Sequence, residues 1–246
     1  DGSWFCVNYI TALTTIALVE FNKYSDDSRA LMLIRQSQSW LEQTKNPDGG
    51  CREAINLNIW DTSLSLIALT ETNNPNHKES ILEGAKWLIK HQNAEGGWAF
   101  SGLLDGGLPS DADDTALAVR ALLKSGFPIS NDAIQNGLNW LITNQSDDGS
   151  WSTYVPGEGD VGCVSITAHA IEVLLEVNGY QKQIDQAVAW LETHISRDGF
   201  WDDLWLSKRT YGTACAINAI VKAGYHNIQA IKDGVKWLES VQNPDG

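Results

Sequence analysis

The sequence predicts an all-α fold of stacked helical hairpins, and two interleaved periodicities predict it. Trp-Leu recurs at Trp40, Trp87, Trp140, Trp190 and Trp237, at spacings of 47, 53, 50 and 47 residues. Between these pairs a Thr block recurs at Thr11, Thr62, Thr115, Thr167 and Thr213, at spacings of 51, 53, 52 and 46, and each Thr opens a helical pattern of about twelve residues. Repeats of this length holding two helical segments each stack either into an open solenoid or into a double-layered α/α toroid.

Taken in order, the chain opens inside a corner at Asp1-Gly2-Ser3-Trp4, and each Thr-block helix is then followed by a helix ending at a Trp-Leu pair. Ten helices in five hairpins result, with essentially no sheet. After Trp87 come Gln92, Gly96 and Trp98; after Trp140 come Gln145, Gly149 and Trp151. The copy after Trp190 has Ile195 in the Gln place but keeps Gly199 and Trp201, and the copy after Trp40 is degenerate, with Lys45 and Cys51. Each corner is a helix stop whose Gly supplies positive φ, closed by a Trp that staples neighbouring repeats. The Thr-block helices are the more apolar and carry small residues, so they are expected to form the inner layer; the Trp-Leu helices, with Lys, Glu and Gln on one face, form the outer one.

Composition narrows the function. The 246 residues are 43% apolar and 20% charged, which is globular, and a net charge of -14 argues against nucleic acid and against docking to an anionic membrane surface. Cys6, Cys51, Cys163 and Cys215 form no Cys-x-x-Cys pair and read as reduced, mostly buried thiols of a cytoplasmic protein. No apolar run is long enough for a transmembrane helix.

The chemistry concentrates in Ser110-Asp111-Ala112-Asp113-Asp114-Thr115. Ser110 or Asp111 can serve as an N-cap, with the other acids complementing the helix dipole. Three carboxylates so close also repel one another, and burial favours the neutral form, so one can hold a proton near neutral pH. The register gives the cluster a setting. Asp113 lies two residues before its Thr, where the other repeats carry Tyr9, Trp60, Ser165 and Tyr211, and His169 lies two after its Thr, on the same helix face one turn along. In a ring of parallel inner helices these side chains converge on one mouth, with His169 within reach of Asp113.

Asp111-Ala-Asp113-Asp114-Thr115-Ala116 resembles the Asp-x-Asp-Asp-Thr-Ala signature of class II terpene cyclases, the group of squalene-hopene cyclase and of bacterial copalyl and drimenyl diphosphate synthases. The corners resemble that family's Gln-Trp repeats, Trp60-Asp61-Thr62 its Val-Trp-Asp-Thr block, and Thr167-Ala168-His169 its Thr-Ala-His block. The resemblance covers nearly the whole chain. It implies an α/α toroid, a single domain over residues 1–246 with five hairpins of an expected six, and a second helical domain or subunit that completes the active site. It further implies protonation of a double bond or epoxide of a linear isoprenoid and a carbocation cascade that forms rings. Asp113 would be the general acid, Asp111 and Asp114 would tune it, and His169 would hydrogen-bond to it. Trp60, Phe100, Tyr154 and Tyr211 fall on positions that line the pocket, and Tyr9 and Trp205 join them. Aromatic walls suit this chemistry because they stabilise cations without attacking them and keep water out.

Within the family, Asp203-Leu204-Trp205 followed by Tyr211-Gly-Thr213 is closer to the Asp-x-Trp and Tyr-x-Thr stretch of diphosphate-using cyclases, and Lys208 and Arg209 would neutralise the diphosphate. A prenyl diphosphate such as farnesyl or geranylgeranyl diphosphate is therefore the preferred substrate, with squalene as the alternative. No cofactor is demanded; Mg2+ would accompany a diphosphate. The location implied is cytoplasmic or membrane-peripheral. Two rivals stand beside this reading. A protein prenyltransferase β-like subunit would need zinc held by Asp, Cys and His, and Cys163 and His169, six residues apart, do not share a helix face. A non-catalytic toroid acting as a binding domain is the other.

Overall fold

Apolar side chains at helical spacing, interrupted by Asn, Asp, Ser and Gly every twelve to eighteen residues, leave the chain one way to bury its indoles: short helices folded back on themselves. A computed structural model describes residues 2–4, 8–25, 27–44, 57–102, 108–155, 161–206 and 209–245, without the side chains of residues 8–10. Among them are ten α-helices and no strand, only an isolated bridge between Trp98 and Asp111. None of these helices is long and apolar enough to cross a membrane.

The chain divides into two compact units, Asp1–Asn58 and Ile59–Gly246. The first is a hairpin of α1 (Asn8–Ser25) and α2 (Ser28–Gln43). Asp27 caps α2, accepting from the N–H groups of Arg29 and Ala30 at 2.7 and 3.3 Å, and Trp4 N–H donates to Thr11 Oγ1 at 3.0 Å.

The second unit holds four hairpins: α3 (Asn58–Glu71) with α4 (Lys78–Lys90), α5 (Ala112–Lys124) with α6 (Asp132–Thr143), α7 (Val164–Leu175) with α8 (Gln181–Thr193), and α9 (Thr210–Lys222) with α10 (Gln229–Val241). Helices α5, α7 and α9, all Thr-block helices, pack side by side, and α6, α8 and α10 each lie against their own partner. The expected inner and outer layers are therefore present in this unit.

The corners explain why Trp and Thr keep the same period. Trp98, Trp151 and Trp201 are wholly buried, and each indole N–H donates to the carbonyl of Leu88, Leu141 or Leu191 at 2.7–2.8 Å, giving a last-turn carbonyl of the outer helix a second donor beside the backbone N–H three residues on. Each Trp backbone N–H donates to the Thr hydroxyl of the next inner helix, from Trp98 to Thr115 at 2.9 Å, from Trp151 to Thr167 at 3.0 Å and from Trp201 to Thr213 at 3.0 Å. The Thr block is thus the receptor for the corner. Burying about 150–250 Å² of each indole contributes on the order of 4–6 kcal/mol at about 25 cal/mol per Å².

Glycine is required at the corner: Gly149 has φ +95°, and a Cβ there would fall 2.5 Å from the Gln186 carbonyl oxygen of the next outer helix. Gln145 Nε2 reaches across the same junction, donating to Gly149 O at 2.9 Å and to Gln183 O at 3.0 Å. Gln145→Ala leaves both carbonyls without this donor and should cost about 1–2 kcal/mol. Urea unfolding checks this, and a loss near zero would mean that the corners are held by the indoles alone.

Toward the C-terminal ends of the inner helices runs a charged ladder. The buried Glu172 of α7 binds Arg120 of α5, Lys222 of α9 at 2.8 Å and Asn218 of α9 at 2.6 Å, while Lys124 of α5 pairs with Glu71 of α3 at 3.0 Å. The N-terminal ends of the same helices carry the acid cluster.

Candidate active site

The acid turn is built by its two neighbouring corners. Asp111 has extended backbone (φ -121°, ψ 159°) and its N–H donates to Trp98 O at 2.9 Å, while the next N–H, that of Ala112, donates to Thr153 O at 2.8 Å just beyond the following corner. The chain then turns into α5, with Asp111 as N-cap accepting the Asp114 N–H at 2.8 Å. Capping and chemistry are therefore divided: Asp111 caps, and Asp113 is left to face the next inner helix. There His169 Nδ1 lies 2.5 Å from Asp113 Oδ1. On the other side of the imidazole, Nε2 is 3.4 Å from the Tyr211 hydroxyl and 4.0 Å from Cys215 Sγ, and the Tyr211 ring stands edge-on to the imidazole.

Electrostatics separate the three acids. Asp111 and Asp114 are buried, whereas the Asp113 side chain keeps 21% of its surface exposed. Burial pushes Asp111 up to about 8, against the pull of the Asp114 N–H and with the help of Asp113's charge. Asp114 is raised well above the ordinary carboxylate range by burial, then by the charges of Asp111 and Asp113, and more weakly by Asp61. Burial favours the protonated form of both, and Asp114 Oδ1 has no hydrogen-bond partner among the described residues. His169 is pulled the opposite way: burial disfavours its charge, but the charge and hydrogen bond of Asp113 win and raise it to about 10. At neutral pH His169 is therefore an imidazolium, with Nδ1 directed at Asp113 Oδ1. Burial and neighbouring negative charge keep the Tyr211 phenol protonated.

The remaining pocket residues are placed as follows. Trp60 is half-buried at the start of α3 beside Asp61, and the carbonyl of the half-buried Phe100 accepts the Ile59 N–H at 3.4 Å, bringing both aromatics to the N-terminal end of α3. Tyr154 is half-buried next to Thr153, whose hydroxyl accepts the indole N–H of the mostly exposed Trp205 at 3.1 Å. Arg209, in left-handed backbone at the start of α9, is engaged by Asp202 at 2.8 Å and lies 4.1 Å over the Phe200 ring. Tyr9 belongs to the first unit; its side chain, all of Lys208, and Cys6 and Cys51 lie outside the described residues.

Three contributors escape a reading of motifs. Cys215 holds the same place after Thr213 that His169 holds after Thr167, so the register that selects one selects the other. Asp203 caps α7 from the following corner, taking the Ser165 N–H at 3.0 Å and the Cys163 thiol at 3.3 Å; burial and the Asp203 charge push that thiol up to about 11. The thiol and the imidazole weighed as zinc ligands are thus each engaged elsewhere, and among the described residues no three His, Cys, Asp or Glu side chains could hold a metal ion. Glu95 binds Ser110, the residue before Asp111, and carries no motif at all.

Residues 52–159 and 157–246 match the family described as the squalene-hopene cyclase C-terminal domain. A squalene-hopene cyclase of Bradyrhizobium diazoefficiens is 27% identical over 226 residues, covering 76% of this chain and 34% of that protein. An ent-copalyl diphosphate synthase of a Streptomyces species is 31% identical over 146 residues, covering 57% of this chain and 27% of that one. The chain spans about a third of the length of the squalene-hopene cyclases it matches. Among solved structures, the type II terpene cyclase MstE from Scytonema superposes with a TM-score of 0.66 at 19% identity, over 82% of this chain and 58% of that one. A variant of MstE bound to its substrate, geranylgeranyl dihydroxybenzoate, gives 0.65 at 18% identity, over 85% and 63%. The all-helical architecture is the α/α toroid fold of these neighbours.

Proposed function

The chain belongs to the squalene-hopene cyclase C-terminal domain family, and on that premise we propose that it carries the acid-bearing domain of a class II terpene cyclase, an enzyme that cyclises a linear isoprenoid by protonating it. The observation that carries the proposal is the contact between Asp113 and His169 at the mouth of three packed inner helices. An alkene is a very weak base, so its protonation needs an acid whose conjugate base is strongly stabilised. In its proton-loaded form Asp113 presents one oxygen to the imidazolium and the proton on the other to the substrate. When that proton leaves, the new carboxylate already faces a cation. Asp111 and Asp114 are buried, and burial disfavours a competing negative charge behind it.

The half-buried Trp60, Phe100, Tyr154 and Tyr211 would supply the cation-stabilising wall, each worth about 0.5–2 kcal/mol to a desolvated cation. A further helical domain or subunit would close it, since the matched stretch is about a third of each squalene-hopene cyclase. The preferred substrate is a prenyl diphosphate, on the strength of Asp203-Leu-Trp205 and Tyr211-Gly-Thr213. Squalene is the second reading, and the engagement of Arg209 by Asp202 and Phe200 favours it. No step is assigned to magnesium.

Incubation with farnesyl diphosphate, geranylgeranyl diphosphate and squalene separately, followed by mass spectrometry, tests the proposal. A cyclic product that keeps its diphosphate establishes the first substrate class, and a cyclic triterpene the second. No product from any of them, with the chain or with a longer form carrying the flanking sequence, would favour a non-catalytic toroid.

A further inference from the structure

Two consecutive corners of the second unit fill the same space from opposite sides. In register, Glu95 matches Asp148 and Gly97 matches Ser150. Ser110 matches Gly162, because each precedes the residue whose N–H donates to the corner Trp carbonyl, Asp111 to Trp98 and Cys163 to Trp151, both at 2.9 Å. In the second corner the serine belongs to the corner itself: Ser150 donates its hydroxyl at 2.7 Å and its N–H at 3.0 Å to Asp148, and Gly162 lies bare against it. In the first the arrangement is exchanged. Gly97 is bare, and the hydroxyl comes from Ser110 on the incoming segment, donating to Glu95 Oε1 at 2.7 Å with its N–H at 3.3 Å. A Cβ on Gly97 would fall 2.6 Å from Ser110 Cβ, and a Cβ on Gly162 would fall 2.6 Å from Ser150 Cβ, so each space admits one serine.

The exchange has a directional consequence. The Asp148 bonds to Ser150 stay within the corner, whereas Glu95 fastens the segment that leads into an inner helix. That segment continues directly into Asp111 and Asp113. Asn93 adds to the same hold, its Nδ2 donating to Ser110 Oγ at 3.0 Å and to Leu108 O at 3.2 Å. Partial burial disfavours the Glu95 charge, but the bonds from Ser110 and Asn93 outweigh it and keep the carboxylate below its ordinary range, an ionised acceptor at neutral pH.

We infer that Glu95, acting through Ser110, is a positioning residue for the acid turn: it sets the entry of the chain into α5 and thereby the approach of Asp113 to His169. The catalytic part rests on the function proposed above; the positioning part does not. Small displacements of a reacting group are costly, and a hold on the backbone one residue before an N-cap is well placed to prevent them.

The test uses the 246-residue chain and reads two quantities, the titration of His169 by 15N NMR and the kcat and KM on whichever isoprenoid is turned over. Glu95→Ala and Ser110→Ala should lower kcat about tenfold with KM within about twofold, and His169 should titrate below its parent value. Glu95→Gln, which keeps an acceptor oxygen, should restore most of both. Ser150→Ala removes the matching hydroxyl of the next corner and should lower the thermal midpoint as Ser110→Ala does, with kcat and the His169 titration unchanged. The exchange G97S/S110G, which copies the arrangement of the second corner, should behave as Ser110→Ala does; if it does not fold, the two alanine variants carry the comparison. An unchanged His169 titration in Glu95→Ala and Ser110→Ala, or an equal change in Ser150→Ala, would overturn the inference. Absence of turnover in the parent chain would count against the proposed function, and the His169 titration would still decide the positioning.

Discussion

Asp113→Asn should reduce product formation by at least about 10³-fold while the chain keeps its helical circular dichroism. Asparagine has the same shape, and its carbonyl can still accept from the His169 imidazole, now 2.5 Å from the Asp113 oxygen. What it lacks is a proton that an alkene can take. The two neighbouring acids cannot substitute, because both are buried, and Asp111 is committed to the Asp114 N–H at 2.8 Å. Asp111→Asn is the informative contrast, since Asn is an equally good N-cap and the loss there should be the smaller one. Single-turnover measurement of product by mass spectrometry checks both. Residual activity of Asp113→Asn above about 1% of the parent would move the proton donor to another group.

Helix content and pairing were legible because they follow from period. Apolar spacing defines helix faces, and the Trp-Leu and Thr registers place every hairpin, so α1 to α10 appear where the repeats put them. The acid turn was legible in part. An acidic triplet before a helix reads equally as a cap or as a catalyst, and the structure divides the two roles between Asp111 and Asp113. His169 could be found because its slot lies one helical turn beyond that of Asp113 and one repeat on.

What stayed hidden depends on how loops close. That Thr115 is the acceptor for Trp98 N–H, seventeen residues back, follows from the path of the intervening segment rather than from any helical face. The same holds for Asp203 capping α7 from forty residues away and for Glu95 reaching Ser110. The surroundings of Arg209 were equally hidden. Its charge and its place before Tyr211 recommend it for a diphosphate, and in the fold Asp202 and Phe200 lie against its guanidinium. A local partner can take up a charge that a motif assigns to a ligand.

The Asp113 and His169 pair should also set the response of the fold to alkali. His169 titrates at about 10 in the folded chain against an ordinary 6.5, so between these values the folded state binds one proton more than the unfolded state. Its stabilisation is complete below pH 6.5 and is lost as pH rises through about 10, at about 1.4 kcal/mol per pH unit, on the order of 5 kcal/mol in all. Asp111 has the same sign: raised to about 8, it keeps its proton in the folded chain above its ordinary 3.8, and that advantage is lost as pH rises through about 8. Urea unfolding at pH 7, 8 and 9 should therefore show stability falling throughout. In Asp113→Asn the carboxylate that holds the His169 proton is gone and burial favours the neutral imidazole, so its profile should be shallower by about 1.4 kcal/mol per pH unit while the Asp111 contribution remains. Parallel profiles for the two chains would mean that His169 is neutral at rest, and the acid would then lack the cation that stabilises its conjugate base. The same pair thus links two measurements: an alkaline loss of stability that depends on Asp113 is what a charged imidazolium beside the catalytic acid requires.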